Sequence, residues 1–154
     1  MQRVRNKMGA LVGHKRIGDK MKEDVFGYEL RIELYGCKAD LDSIDFCYNF
    51  LNDTVKFIKM KKQSEPNIVK TPKEFVGKDG LSGSVMLAES GIMIHTMSLI
   101  DYVTLNIYSC RYFNPDEVEE YVKKYWKASL VDSDFSKRGL NFSNMIKECV
   151  EEKN

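Results

Sequence analysis

The stretch "YELRIELY", Tyr28 to Tyr35, decides the fold of this chain because its side chains alternate in character. One set of alternate positions is apolar and the other is mostly charged: Tyr28, Leu30, Ile32 and Leu34 against Glu29, Arg31, Glu33 and Tyr35. A repeat of two residues is that of a β-strand with one buried face. The stretch therefore predicts a strand with one covered face and one open face.

The rest of the chain supplies both strands and helices. Apolar residues recur every three or four positions from Ser43 to Ile58, which predicts a helix capped by Asp42 or Ser43. A short strand is predicted near 67–71, followed by the strands "SGSVML", "GIMIHT" and "DYVTLNIYSC". After Pro115, "DEVEEYVKKYW" predicts a second amphipathic helix and "ASLVDSDF" a last strand. This order predicts an α+β fold, a two-layer sandwich of a mostly antiparallel sheet with two helices on one face.

The composition is that of one globular domain. The chain has 154 residues, 43% of them hydrophobic, and a net charge of +1, so we expect no general attraction to nucleic acid or membrane. No apolar run approaches the ~18 residues of a membrane helix, and "MGALVG" is too short for a signal peptide. The four cysteines are scattered without a CxxC pair, so neither a disulfide framework nor a metal site is expected. We therefore expect a cytoplasmic protein.

Residues 1–25 differ from the rest of the chain. Between Met1 and Lys22 there are seven basic residues and one acidic residue, Asp19. Such a segment can bind nucleic acid or another acidic partner, but it lacks interleaved aromatic residues. We expect a solvated, partly disordered extension there, a domain at 26–140, and a tail or short helix at 141–154.

The alternation also predicts which side chains share the face away from the helices. When the apolar positions of each strand face the helices, the other face receives a carboxylate, a thiol, an imidazole and several hydroxyls: Glu33, Cys110, His95, Ser82 and Ser84, with Ser90 at the end of its strand. An ordinary solvated sheet face carries fewer kinds of reactive group. This face is therefore the candidate site, and a merely wet sheet face is the alternative.

At "GYELRIELYGC", "GLSG", "LAESGIMIHT" and "NIYSC" the sequence resembles the bacterial and archaeal S-adenosylmethionine decarboxylase family, from Gly27 to about Gly139. Members of this family are carboxy-lyases, made as proenzymes that cut themselves before a serine and convert it into a pyruvoyl group. The resemblance implies that Glu89–Ser90 is the scissile bond and that Ser90 is the pyruvoyl precursor, which forms a Schiff base with the amine of an amino-acid-type substrate. Neither a metal nor pyridoxal phosphate is implied.

The resemblance also implies roles for the neighbouring residues. His95 matches a histidine that transfers protons during processing, and Ser82 a serine that positions the processing intermediate. Cys110 matches the cysteine that returns a proton to the substrate carbon after carbon dioxide leaves. Glu33 matches an acidic residue that faces the substrate, and Phe75 lies near an aromatic that stacks on adenine, with core packing as the alternative. In the family a second copy completes the open sheet face, so a homodimer is expected.

Several residues beside these differ from the family pattern. Gly91 stands where the family usually has a histidine, and Glu29 where a histidine is frequent. Met97, Ser98 and Leu99 replace a tryptophan, a proline and a glutamate that contributes to nucleoside binding. Three functions stay open: decarboxylation of S-adenosylmethionine for spermidine synthesis, the same mechanism on arginine or ornithine, which the carboxylates of the first strand would suit, and a non-catalytic regulatory homologue.

Overall fold

The structure, a computed structural model, describes residues 25–151 except 73, 76, 78 and 89. The expected basic extension therefore lies outside the described residues except for Val25, and so does Glu89. The described residues form nine elements: β1 (Gly27–Tyr35), α1 (Ile44–Phe57), β2 (Asn67–Lys70), β3 (Leu81–Leu87), β4 (Ser90–Met97), β5 (Tyr102–Ser109), α2 (Pro115–Trp126), β6 (Leu130–Arg138) and α3 (Phe142–Glu151), with a 3₁₀ turn at Ser98–Ile100.

The strands form one antiparallel sheet in the order β2-β3-β4-β5-β1-β6. β1, the strand from which the fold was predicted, pairs with β5 on one side and with β6 on the other. The predicted α+β fold is thus confirmed. β6 runs to Arg138, three residues beyond the predicted "ASLVDSDF", because its polar end still pairs with the start of β1.

Alternate strand residues face α1 and α2 and build the core. α1 packs on β2 and β3, and α2 packs on β1 and β6. In β1 the side chains of Leu30, Ile32 and Leu34 are at most 1% exposed, as the alternation predicts. Burial of each such side chain stabilises the fold by about 1.5–3 kcal/mol. Because α1 and α2 both lie on this face, the opposite face is the open face of the sheet.

Polar contacts fix where the helices begin. Ser43 is the N-cap of α1, and its hydroxyl oxygen accepts a hydrogen bond from the Phe46 N–H at 3.1 Å. Asn114 caps α2 in the same way, with Pro115 at the first helical position. α3 lies in the segment for which a tail or short helix is expected, and it is additional to the two predicted helices. No helix in the described part of the chain has the length and apolar character needed to span a membrane.

Thr96 fastens the end of β4 to the layer beneath it. Its side chain is fully buried, and its hydroxyl accepts from the Leu81 N–H at 2.8 Å and donates to the Leu41 carbonyl at 2.9 Å. A buried hydroxyl without partners would cost about 1–3 kcal/mol, so both bonds matter for stability. The neighbouring residue, His95, is thereby held at a fixed place on the open face.

Candidate active site

The open face of the sheet carries its polar side chains in rows that cross the strands. The register pairs Ser82 with His95, His95 with Thr104, and Thr104 with Glu33. Neighbouring strands lie about 4.8 Å apart, so each member of this row is close to the next. The structure therefore brings together three of the predicted site residues, and it adds Thr104, which the resemblance does not single out.

Ser82 and His95 form the tightest contact of the row. The Ser82 hydroxyl oxygen lies 2.6 Å from His95 Nδ1, and both side chains are partly buried. No residue that the structure describes is hydrogen-bonded to the other ring nitrogen, Nε2. The imidazole is thus oriented through one nitrogen and can exchange a proton through the other.

Glu33 is held by two hydroxyl groups of β5. Tyr102 and Thr104 both donate to its carboxylate, the Thr104 bond measuring 3.3 Å. Glu33 lies two strands from His95, which is roughly 10 Å across the sheet. Tyr102 is a contact that sequence alone does not reveal, because only the register brings it beside Glu33.

Ser90 and Cys110 form a second pair at the other end of the sheet. Ser90 is the first residue of β4, and its hydroxyl oxygen accepts from the Cys110 N–H at 3.3 Å and lies 3.9 Å from the Cys110 sulfur. Both residues are half-buried. Ser90 lies at the end of its strand, as predicted. It has the parity of the buried Ile92, however, so it sits at the rim of the sheet and does not share the open face with Ser82. Glu89 lies outside the described residues.

The two pairs are far apart within one chain. Ser90 and His95 are separated by five positions along the single strand β4. At about 3.3–3.4 Å per residue, this separation is roughly 17 Å. Strand parity predicts the face of the sheet on which a side chain lies, but it does not predict the level along the strand. The reactive groups therefore do not form one site within a single copy.

Two residues that depart from the family pattern lie in one row beside the Ser90 end. The register pairs Gly91 with Tyr108 and Tyr108 with Glu29. The Glu29 carboxylate accepts from Asn106 at 2.6 Å and forms an ion pair with Arg138. The hydrogen bond from Asn106, with a further contribution from Arg138, holds the pKa of Glu29 below its usual range. This carboxylate is therefore anionic and already partnered.

A shallow cavity of about 330 Å³ lies on the open face over β1 and β6. It is lined by Arg31, Glu33 and the β6 residues 132–134, and Arg31 forms an ion pair with Asp134. Glu33 links this cavity to the row that contains His95. Among the described residues, no three His, Cys, Asp or Glu side chains are grouped so that they could hold a metal ion.

Phe75 lies in the loop between β2 and β3. Its side chain is 53% exposed, and its N–H donates to the Pro72 carbonyl at 3.1 Å. The alternative that Phe75 packs in the core is therefore wrong. Its exposed ring can contact another molecule, so adenine stacking stays a prediction.

The comparisons with known proteins agree on one family. The family model described as S-adenosylmethionine decarboxylase matches residues 28–139. The chain is 29% identical to the S-adenosylmethionine decarboxylase proenzyme of Clostridium botulinum over 100 residues, 64% of this chain and 81% of that protein. It is 26% identical to the proenzymes of Geobacillus kaustophilus and Thermococcus kodakarensis, over 118 residues (76% and 90% of the two chains) and 130 residues (80% and 87%).

A solved structure has the same fold. The crystal structure of the adenosylmethionine decarboxylase from Aquifex aeolicus superposes with a TM-score of 0.64 at 24% identity, covering 75% of this chain and 92% of that one. At this identity the likeness supports the architecture, while the family match spans every residue of the candidate site. The chain belongs to the S-adenosylmethionine decarboxylase family, a family of carboxy-lyases.

Proposed function

We propose that this chain is a self-processing, pyruvoyl-dependent S-adenosylmethionine decarboxylase of polyamine biosynthesis that acts in the cytoplasm. The proposal rests mainly on the contact of Ser90 with Cys110. Ser90 follows the two-residue connection after β3, and its hydroxyl oxygen lies 3.9 Å from the Cys110 sulfur. A strand-end serine held by a backbone N–H can approach the carbonyl before it, and a nearby thiol can supply a proton.

Self-cleavage breaks the peptide bond before Ser90 through an ester, a dehydroalanine and a final hydrolysis. The Ser90 hydroxyl oxygen adds to the Glu89 carbonyl carbon, the Glu89–Ser90 C–N bond breaks, and an ester joins Glu89 to the serine oxygen. Loss of the Ser90 α-proton expels the Glu89 carboxylate and leaves dehydroalanine. Water then replaces the nitrogen, which leaves as ammonia, and a pyruvoyl group remains on residues 90–154. His95 is the proton carrier in these steps because an imidazole can both accept and donate a proton.

The residues around Ser90 fit such a group. The Cys110 N–H that reaches the serine oxygen can equally donate to a carbonyl oxygen, and the Cys110 thiol lies beside the same oxygen. The pyruvoyl carbonyl supplies an electron sink for decarboxylation of a bound amino acid. Cys110 then holds the proton that is returned to the substrate carbon.

A second copy of the chain completes the site. Ser82 and His95 lie roughly 17 Å from Ser90 along β4, too far for proton transfer within one copy. Two open faces that stack about a two-fold axis running across the strands bring the Ser90 end of one sheet against the Ser82 end of the other. Each of two equivalent sites then takes Ser90 and Cys110 from one copy, and Ser82 and His95 from its partner.

The same stacking suits the chemistry of the open face. Among the described residues of β3 and β4 that point to this face, His95 is the only one with an ionisable side chain. Three apolar residues of the same face are exposed: Val69 by 50%, Met86 by 62% and Met93 by 63%. Exposed apolar side chains that cluster on one face are typical of an interface. We therefore place the homodimer contact on this half of the sheet.

The contacts of the first strand favour S-adenosylmethionine over a dibasic amino acid. Arginine or ornithine would need a spare carboxylate, yet Asn106 and Arg138 occupy that of Glu29. Of the two carboxylates of β1, Glu33 is the one that keeps acceptor capacity, because two hydroxyl groups donate to it and a carboxylate has about four acceptor sites. Glu33 and the exposed ring of Phe75 are the groups that we assign to the substrate, as acceptor for its polar groups and as a stacking surface.

Intact-mass spectrometry of the purified full-length chain tests the proposal. We expect two fragments, residues 1–89 and a ketone-blocked 90–154. Ser90→Ala should remain one uncut chain, while Ser84→Ala, which changes a serine of the same sheet face away from His95, should be cut normally. A wild-type chain that stays uncut after long incubation would identify a regulatory homologue instead.

The substrate is tested on the processed protein. Release of labelled carbon dioxide should occur with carboxyl-labelled S-adenosylmethionine and not with arginine or ornithine. Cys110→Ala should be cut but should turn over poorly. Release from arginine or ornithine alone would overturn the substrate assignment and leave the cleavage chemistry intact.

A further inference from the structure

The C-terminal helix α3 presents an apolar stripe to solvent. Phe142, Met145, Ile146 and Cys149 follow one another at spacings of three, one and three residues, which places them on one helix face. Met145 is 63% and Ile146 50% exposed, and Leu140 before the helix is 68% exposed. A helix that is apolar on an exposed face needs a covering surface.

Aromatic contacts fix the start of α3 beside the open face of the sheet. The Phe26 ring stacks on Tyr108 with centroids 6.3 Å apart and meets the edge of Phe142 at 4.9 Å. Gly139, with φ of +68°, makes the turn into the helix, and a Cβ there would lie 2.5 Å from Phe26 Cβ. Tyr108 is the residue before the last of β5, so α3 begins near Cys110.

A second exposed apolar group lies at the opposite end of β5. In the 3₁₀ turn between β4 and β5, Leu99 is 69% and Ile100 61% exposed. The turn is held in place, since Asp101 pairs with Lys38 at 2.7 Å and its carbonyl accepts from the Cys37 N–H at 2.9 Å. A well-anchored turn with two exposed aliphatic side chains offers a surface on which the apolar face of a helix can pack.

We infer that the apolar stripe of α3 packs on the turn Ser98–Ile100 of a second copy of this chain and closes one side of the shared site. The inference rests on the proposed homodimer. The two-fold axis that sets the Ser90 end of one sheet against the Ser82 end of the other also sets the end of β5 against its beginning. It therefore brings α3, anchored at Tyr108, to the turn that precedes Tyr102 in the partner.

This contact gives a role to residues that the reaction leaves unused. Leu99 occupies the position at which the family has a nucleoside-binding glutamate, and an apolar residue there gains a partner in α3. The turn follows closely on His95, and α3 begins beside the Ser90–Cys110 pair. The wall so formed excludes water from the site, which strengthens the polar interactions inside it.

The native thiol of Cys149 on the stripe gives a direct test. In a Leu99→Cys variant of the processed, full-length protein, a short bismaleimide should join the introduced thiol of one copy to Cys149 of the other, giving a covalent dimer of the 90–154 fragment. Burial raises the pKa of Cys37 to about 11 and of Cys47 to about 12, so these thiols should not react. The linked residues are read by peptide mass, which separates a link to Cys149 from one to Cys110.

Two control variants define the outcome of the cross-linking. Leu99→Cys combined with Cys149→Ser should lose the link, and Ile44→Cys, on the outer side of α1, should not form one. A protein that is cut, dimeric and active but gives no link to Cys149 would overturn the inference alone. An uncut or monomeric protein would overturn both the inference and the proposed function.

The strength of the dimer gives a second readout. Ile146→Ser should raise the dimer dissociation constant by about tenfold or more, because an aliphatic side chain leaves the interface in each half. Lys147→Ser, on the other side of α3, should leave the constant unchanged. Equal effects of the two substitutions would contradict a contact made through the apolar stripe.

Discussion

The hydroxyl oxygen of Ser82 lies 2.6 Å from Nδ1 of His95, across the paired strands β3 and β4. This bond fixes the orientation of the ring and leaves Nε2 without a partner among the described residues. The adjacent Thr96 is buried and doubly hydrogen-bonded, so the imidazole stands on a rigid strand end. In the proposed function we therefore expect His95 to transfer the proton and Ser82 to hold the imidazole ring in the required orientation.

Substitution of Ser82 or of His95 should slow self-cleavage, and the effect should be larger for His95. His95→Ala should reduce the rate about 10²–10⁴-fold, the usual contribution of a positioned acid–base group. Ser82→Ala should reduce it by roughly tenfold, the equivalent of one lost hydrogen bond. The time course of fragment formation by mass spectrometry measures both, with Ser84→Ala as control. Cleavage of Ser82→Ala at the wild-type rate would exclude the aiming role.

A mixture of two inactive variants should recover cleavage. In a dimer of Ser90→Ala with His95→Ala, one site receives Ser90 from the second chain and His95 from the first. When the two are co-expressed, about half of the His95→Ala chains, those in mixed dimers, should be cut. Each variant alone should stay uncut or be cut very slowly. If mixed dimers form in native mass spectra and no cleavage follows, the site lies within one chain.

Two glycines of the neighbouring strands β3 and β4 should respond in opposite ways to alanine. At Gly91 a Cβ would meet only the Val85 carbonyl oxygen, at 3.7 Å, so Gly91→Ala should stabilise the protein by about 0.4–1 kcal/mol. At Gly83 it would lie 2.6 Å from Ile68 Cδ1 and 3.0 Å from Ile94 Cγ1, so Gly83→Ala should destabilise by about 1–3 kcal/mol. Urea unfolding of both variants decides, and equal effects would contradict the packing described.

The partnered carboxylate of Glu29 should make stability depend on pH. Its pKa is lowered in the folded state, first by Asn106 and then by Arg138, so its contribution is complete above the unfolded pKa of about 4.3. That contribution is lost as the pH falls through the lower, folded value. Unfolding free energies between pH 7 and pH 3 should therefore drop less for Glu29→Gln than for wild type. Glu120→Gln, on the exposed side of α2, serves as control and should follow the wild-type curve.

The alternation of "YELRIELY" and the spacing of the helical residues were sufficient to predict the architecture, because each reflects burial of one face. They also predicted that Glu33 and His95 share a face. The levels of Glu33 and Cys110 relative to His95 and Ser90 could not be predicted, because they depend on the register between strands. The separation of Ser90 from His95 needs no register, since both lie on β4, five positions apart.

Side-chain contacts that depend on how the strands are paired could not be predicted from the sequence either. Arg138 reaches Glu29 only because the polar end of β6 continues to pair with β1. Tyr102 reaches Glu33 diagonally across β5 and β1, which no local pattern indicates. The stripe of α3 could have been noticed from its spacing, but its place beside Tyr108 depends on the ring of Phe26.

The position of β1 in the sheet has a consequence for a chain that is cut as proposed. A break between Glu89 and Ser90 divides the chain into one piece that holds β1, β2 and β3 and another that holds β4, β5 and β6. β1 pairs with both β5 and β6, and β3 pairs with β4. The two pieces are therefore hydrogen-bonded to each other along three strand pairs. The cleaved molecule should thus remain one folded unit, and its two fragments should dissociate only when the whole sheet unfolds.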